Sequence, residues 1–182
     1  MGTLSKDPKT KTSKGLALTL AFLLLLSPPG FANHLIQGEN IESGEATFEY
    51  PDENTFNVHQ TSDKLVVGYQ SFSTTAGEIV NFFQPSSASS VWNRVSGGGP
   101  SEFLGSLNAN GQVGIENVNG IIFGMSSVVN VGSLIASTLH LSNENFLAGN
   151  FSFEKALGRP SSFVVNQGRL NDGRKCSCKS FF

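Results

Sequence analysis

Side chains capable of acid–base, metal or nucleophilic chemistry are few in this chain and lie far apart. Its three histidines, His34, His59 and His140, have no second histidine at ligand spacing, so a zinc site has no ligand set to draw on. Beyond residue 32, aspartate occurs only at Asp52, Asp63 and Asp172. That leaves little for the paired carboxylates that flank a glycosidic bond in hydrolysis. Serine is abundant, but no G-x-S-x-G nucleophile elbow is present. Gly97-Gly98-Gly99 has the glycines of a phosphate loop but no following Lys-Ser/Thr, and reads as a surface loop. The acids Glu39, Glu42, Glu45, Glu49, Asp52 and Glu53 read as a solvated face or leader. Cys176 and Cys178 are too few for a structural metal site, and bridging them to each other would close a strained loop; they read as surface thiols. No residue is assigned a catalytic, metal-binding or cofactor-binding role, and the chain is not expected to be an enzyme.

The first 32 residues follow a different logic. Lys6, Lys9, Lys11 and Lys14 form a basic leader, Leu16 to Leu26 is an apolar run, and Ser27-Pro28-Pro29 ends it. Gly30 and Ala32 then stand at the −3 and −1 positions of a cleavage site, with Asn33 as the first residue after it. This is the design of a secretory signal peptide, and the apolar run is shorter than the ~20 residues a membrane-spanning helix needs. Without 1–32 the charge moves from −2 to about −5, and the segment 33–168 holds only Lys64, Arg94, Lys155 and Arg159 against twelve acids. An acidic surface disfavours nucleic acid as a partner. Charged residues are only 14% of the chain, against a typical ~25%. No cysteine occurs between 33 and 175, so this exported domain must hold together without disulfides, unlike many small secreted domains.

From residue 55 onward the pattern is short apolar runs between turn residues. Phe56 to Gln60 alternates apolar and polar residues; Lys64 to Tyr69, Glu78 to Phe83, Gln112 to Glu116, Ile121 to Phe123 and Val128 to Val131 follow as strand candidates. Asn110-Gly111, Asn119-Gly120 and the loop Ser96 to Pro100 supply the turns. This rhythm predicts an all-β fold, either a sandwich or barrel or a parallel β-helix. Asn-Gly recurring at corners suits a solenoid, because both residues tolerate left-handed backbone. Helix is expected only within 143–151 or 153–157.

Several segments in series resemble a known family. They are Gln60 to Lys64, Asn93-Arg94-Val95, Leu104 to Val113, and Asn117-Val118-Asn119-Gly120 running on to Gly124. Gln70 to Phe72, Gln84 to Ser87, Val131 to Thr138 and Phe146 to Gly149 fit as well. In order and spacing they resemble the filamentous haemagglutinin N-terminal domain, the secretion (TPS) domain of two-partner-secretion exoproteins, over 33–170.

The resemblance implies a right-handed parallel β-helix with an N-terminal cap and short extra-helical β elements. It implies a haemagglutinin- or adhesin-like exoprotein that crosses the inner membrane by the general secretion machinery. The chain would then pass the periplasm unfolded and reach the cell surface, or be secreted, through an outer-membrane barrel transporter. The absence of internal cysteine agrees with passage through a pore. The family's Asn-Pro-Asn-Gly turn falls on Asn117, Val118, Asn119 and Gly120, with Val118 in place of proline; these residues are the expected turn and transporter-recognition motif. Residues 171–182, NDGRKCSCKSFF, fit neither the strand pattern nor the family, the ending a truncated or frameshifted reading frame would give. The alternative is a stand-alone extracellular β-helix that binds or cleaves carbohydrate, with host or cell-surface glycans as ligands of exposed Tyr and Phe.

Overall fold

The alternation that marks single strands in the sequence becomes, in three dimensions, one inward stripe repeated from rung to rung. The computed structural model describes residues 36–155 and 162–172. The signal-peptide segment with Gly30, Ala32 and Asn33, His34, and the Cys176 and Cys178 tail lie outside the described residues. The strands run in chain order as β1 Asn40–Ser43, β2 Ala46–Asp52, β3 Thr55–Gln60, β4 Lys64–Tyr69, β5 Ile79–Phe83 and β6 Ser90–Val95. They continue as β7 Ser101–Phe103, β8 Ser106–Ala109, β9 Gln112–Asn117, β10 Ile121–Phe123, β11 Val128–Val131 and β12 Ser133–Ser137. Helix α1, Asn143–Ala148, precedes β13 Val164–Asn166 and β14 Arg169–Asp172.

These strands form three sheets, ordered β1-β4-β6-β9-β12, β13-β10-β7 and β14-β11-β8-β5-β3-β2. Successive rungs pair in parallel, as in Val80 with Leu107, Val91 with Val113 and Phe103 with Phe123. The result is a right-handed parallel β-helix of about three turns. A sandwich or barrel is excluded. Lys64–Tyr69, Ile121–Phe123 and Val128–Val131 are strands with the bounds the sequence suggests, and the one described helix lies within 143–151.

Inward residues stack in columns. Phe56, Val80, Leu107 and Val129 occupy one, and Leu65, Val91, Val113 and Leu134 another; all are buried. Aromatic rings fill the middle: Tyr69 stacks on Phe72 at 4.7 Å, Phe72 meets Phe103 edge-on at 5.3 Å, and Phe103 stacks on Phe123 at 5.3 Å. Such pairs add to area burial, and this core substitutes for disulfides.

The acids of 39–53 are not simply a solvated leader. Glu42 sits on β1 and Glu49 and Asp52 on β2, with Glu39, Glu45 and Glu53 flanking these strands, which pair antiparallel with β4 and β3 and close the N-terminal end of the helix. Ala46, Phe48 and Tyr50 turn toward the core while Thr47 and Glu49 face out; Tyr50 packs on Phe56 at 4.8 Å. Turning the register antiparallel at this end covers an edge that would otherwise invite another strand. At the other end, Asn171 does not leave the strand pattern as expected. It lies in β14, paired with Asn130 of β11.

On the outer face of the six-stranded sheet, asparagines form a ladder. Asn81 Nδ2 donates to Asn57 Oδ1 (2.9 Å), Asn108 to Asn81 (3.0 Å), Asn130 to Asn108 (3.1 Å) and Asn171 to Asn130 (2.9 Å). Glu49 ends it by accepting from Asn57 (3.2 Å) and bonding His59 Nε2 (3.1 Å). These two bonds hold the Glu49 carboxyl below its ordinary value of 4.5.

Replacing Asn108 by Ala removes two ladder bonds, whereas Asn171→Ala removes one. Urea unfolding should show a loss of about 1–3 kcal/mol for the first and about half that for the second; equal losses would mean the ladder is energetically idle. Tyr69 is fully buried, and Tyr50 is half-buried against the Glu39 carboxylate; desolvation first, then the hydrogen bond to Glu39 for Tyr50 and the Glu39 charge for Tyr69, raise both phenols above their ordinary 10.0. Because the folded pKa lies above the unfolded one, stability is intact below pH 10 and falls as pH rises beyond it. Tyrosine absorbance should therefore show neither phenol ionising at its ordinary pH until the chain unfolds.

Candidate functional site

Two polar constellations stand out from this frame. The first is the corner Asn117-Val118-Asn119-Gly120, expected as the recognition turn. Asn117 ends β9 pointing inward and is fully buried. Its Nδ2 donates to Gly99 O (3.1 Å) and Ser101 Oγ (3.0 Å), and its Oδ1 accepts from Asn119 N (2.9 Å). Asn119 Nδ2 reaches Gly97 O (2.7 Å), and Gly120 N closes the turn on Asn117 O (3.1 Å). Gly120 has φ +119°, a conformation that disfavours any residue with a Cβ. Val118 is half-buried. Proline would pre-set the backbone at that position, but here the Asn117 side chain bonds the backbone two residues on and holds the turn itself. The Gly97-Gly98-Gly99 loop is therefore the acceptor surface on which this corner rests. All four motif residues come together, and in the folded domain they are spent on one another and on this loop.

The second constellation escaped sequence reasoning. Glu116, beside Asn117 on β9, points outward yet is only 3% exposed. It accepts from Trp92 Nε1 (2.8 Å), Arg94 Nε (3.3 Å) and Leu141 N (3.1 Å), and His140 Nδ1 lies 2.8 Å away. Arg94 also pairs with Glu42 of β1 and donates to Asn143 Oδ1 (2.9 Å) and Leu141 O (2.6 Å). The cover over this cluster is the stretch 140–153 that follows β12. Ser142 caps α1 by accepting from Asn145 N, and Phe146 and Phe153 pack on Trp92 at 5.8 and 5.9 Å. Lys64 Nζ bonds the last carbonyls of α1, Phe146 O (3.3 Å) and Leu147 O (2.5 Å), where a cation suits the helix C-terminus. Gly114 is required beneath Trp92, because a Cβ there would lie 2.0 Å from the indole. Only Arg94 carried a signal in the sequence, as part of Asn93-Arg94-Val95; Glu116 and His140, 24 residues apart, become neighbours through the helical repeat alone.

Among the described residues, no three or more His, Cys, Asp or Glu gather as a metal site. The charged cluster joins cap, rungs and insertion; each of its acids is already paired. Of the two tyrosines expected as exposed sugar platforms, Tyr69 is buried and Tyr50 half-buried.

Among the described residues, an N-capped right-handed β-helix with one helical insertion, and polar clusters that serve structure, defines a β-solenoid domain. Comparison with known proteins narrows the class. The model of the TPS secretion domain family matches residues 34–177, and the chain belongs to that family. Two heme/hemopexin-binding proteins of Haemophilus influenzae are 32% identical over 152 residues and 31% over 129, covering 82% and 71% of this chain. The chain spans 16% and 14% of the length of these curated relatives. The crystal structure of the HMW1 secretion domain from Haemophilus influenzae superposes with a TM-score of 0.71 at 35% identity, covering 74% of this chain and 36% of that one. The chain is thus the secretion domain of a two-partner-secretion exoprotein, in a family of secretion domains and not of enzymes.

Glu116→Ala should cost about 1–3 kcal/mol, since it leaves the buried Trp92 and Leu141 N–H groups without an acceptor while Arg94 keeps its pair with Glu42. Glu116→Gln, which keeps an acceptor, should cost less. Thermal unfolding followed by Trp fluorescence checks both; equal stabilities would show that the insertion does not depend on this carboxylate.

Proposed function

We propose that this domain carries its exoprotein to an outer-membrane barrel transporter, which recognises it before it folds and passes it to the cell surface or medium. A signal peptide over 1–32, cut after Ala32, delivers the chain to the periplasm by the general secretion machinery. The observation that carries the reading is the burial of Asn117 within a secretion-domain β-helix. A side chain with no exposed surface and three hydrogen bonds cannot be read by a partner in the folded state. If Asn117 and Asn119 are recognised, it is while the chain is extended, and the same amides then close the corner as rungs form outside. The structure favours folding after transit: no disulfide can lock residues 33–175, and each rung needs only its predecessor as a template. No observation in the structure favours carbohydrate cleavage.

Co-expression with the cognate barrel should release the chain, and omitting the barrel should retain it. Asn117→Ala with Asn119→Ala should abolish binding of the unfolded chain to the barrel's periplasmic part. Ser101→Ala, which removes one buried partner of Asn117 but leaves the motif intact, should lower folded stability and spare that binding. Release independent of the barrel sinks the reading, and so does unchanged binding by the double variant.

A further inference from the structure

The face that carries the asparagine ladder is not covered by any described element, and it contains an open groove. On the strands of this sheet the third outward column begins with His59 of β3 and Phe83 of β5, which are register partners. Their rings stack at 4.8 Å and 14°, the spacing of adjacent strands. Glu49 holds His59 from below through its bond to Nε2. The next rung does not continue the column. Strand β8 ends at Ala109, and Asn110 folds back, its Nδ2 donating to Gln84 O and its Oδ1 accepting from Gln84 N, each at 2.8 Å. A step of the stack is thereby left open beside Phe83, whose side chain is half exposed at 50%. The opening is a groove of about 390 Å³ lined by Phe83, Asn81, Asn108, Ala109, Asn110 and Asn130 among others, within the lower range of small-ligand sites.

We infer that this groove binds a neutral oligosaccharide, one pyranose ring lying against Phe83 and its hydroxyls bonded to the amides of Asn81, Asn108 and Asn130. Three features select that ligand. No lining residue is ionisable, so nothing there compensates a charged group, and burying an uncompensated charge is costly. Each ladder amide spends one N–H and one carbonyl lone pair on its neighbours. An amide has two donors and two acceptor sites, so each keeps one of both kinds, which matches hydroxyls that donate and accept. The ring is held flat by His59, a rigid apolar platform for the C–H face of a sugar. Bonds to Asn57, Asn171 and the backbone hold the ladder and Asn110 in place before any ligand arrives, which lowers the entropy lost on binding.

The test is an NMR titration of the purified, folded, 15N-labelled chain with maltotetraose, cellotetraose and chitotetraose, and with a sialylated trisaccharide as the charged contrast. At least one neutral probe should give saturable shifts at the side-chain amides of Asn81, Asn108 and Asn130 and at the backbone of Phe83 and Gln84. Phe83→Ala should weaken that binding by about tenfold, with the remaining spectrum unchanged because the ring is at the surface. Phe83→Tyr should restore it. The proposal is overturned if no neutral probe shifts these signals, or if Phe83→Ala binds as well as the parent. Preference for the charged probe overturns it too, as do groove shifts that follow protein concentration alone, which would mark a contact between copies. No transporter is present in this experiment, so its outcome is independent of the secretion reading.

Discussion

A parallel rung cannot satisfy its own backbone. Every N–H and C=O in its strands must find a partner one turn earlier or later, and the inward stripe is buried only if each turn stacks in the same register. Register is therefore the constraint on which the rest of this molecule depends, since a slip of one residue would turn each apolar column out to solvent. The asparagine ladder is a direct means of holding it. Each amide bonds its counterpart one rung away, over separations of 24, 27, 22 and 41 residues, so the column stays aligned while the corners and the insertion vary in length.

Both ends of the constraint need a terminator or a brace. At the N-terminal end the chain runs β1 and β2 antiparallel to the first rung, which satisfies that edge without continuing the repeat. Along the side, the buried Glu116 recruits Arg94 from the rung before it, and Arg94 reaches both the cap at Glu42 and the insertion at Asn143. A buried carboxylate is tolerable only when its lone pairs are filled, so this cluster forms only when cap, rungs and insertion are all in place. A chain assembled in this way suits delivery in extended form followed by folding in order from its N-terminal end.

Much of this was legible in one dimension. Six strands between Phe56 and Val131 (β3, β4, β5, β9, β10 and β11) announce themselves as short apolar runs between turn residues, β6, β7 and β8 do not, and the series of motifs points to a secretion domain. The cap that the family resemblance implies has no strand signal of its own in the sequence pattern, because the acids Glu45, Glu49 and Asp52 surround the inward Ala46, Phe48 and Tyr50. Asn171 reads in sequence as part of a divergent tail, because the ladder that claims it forms only when Asn130 lies beside it. Glu116 and His140 gave no signal, since neither has a neighbour in sequence with which it makes chemical sense.

The sequence by itself determined the strand-forming rhythm, the apolar stripe, the absence of cysteine staples between 33 and 175, and the turn residues, because these follow from local sterics and from side-chain period. Tertiary structure alone decided which side of each polar residue matters. It took Asn117 from a residue of the expected recognition turn to a fully buried one, and tied half-buried Asn119 to the Gly97 carbonyl. It took Glu116 from a strand end to the point where cap, rungs and insertion meet. It set Phe83 on His59 beside a row of amides. The physical reason is the helical repeat: it brings residues about twenty to forty positions apart to within hydrogen-bond reach, and no local pattern encodes that distance.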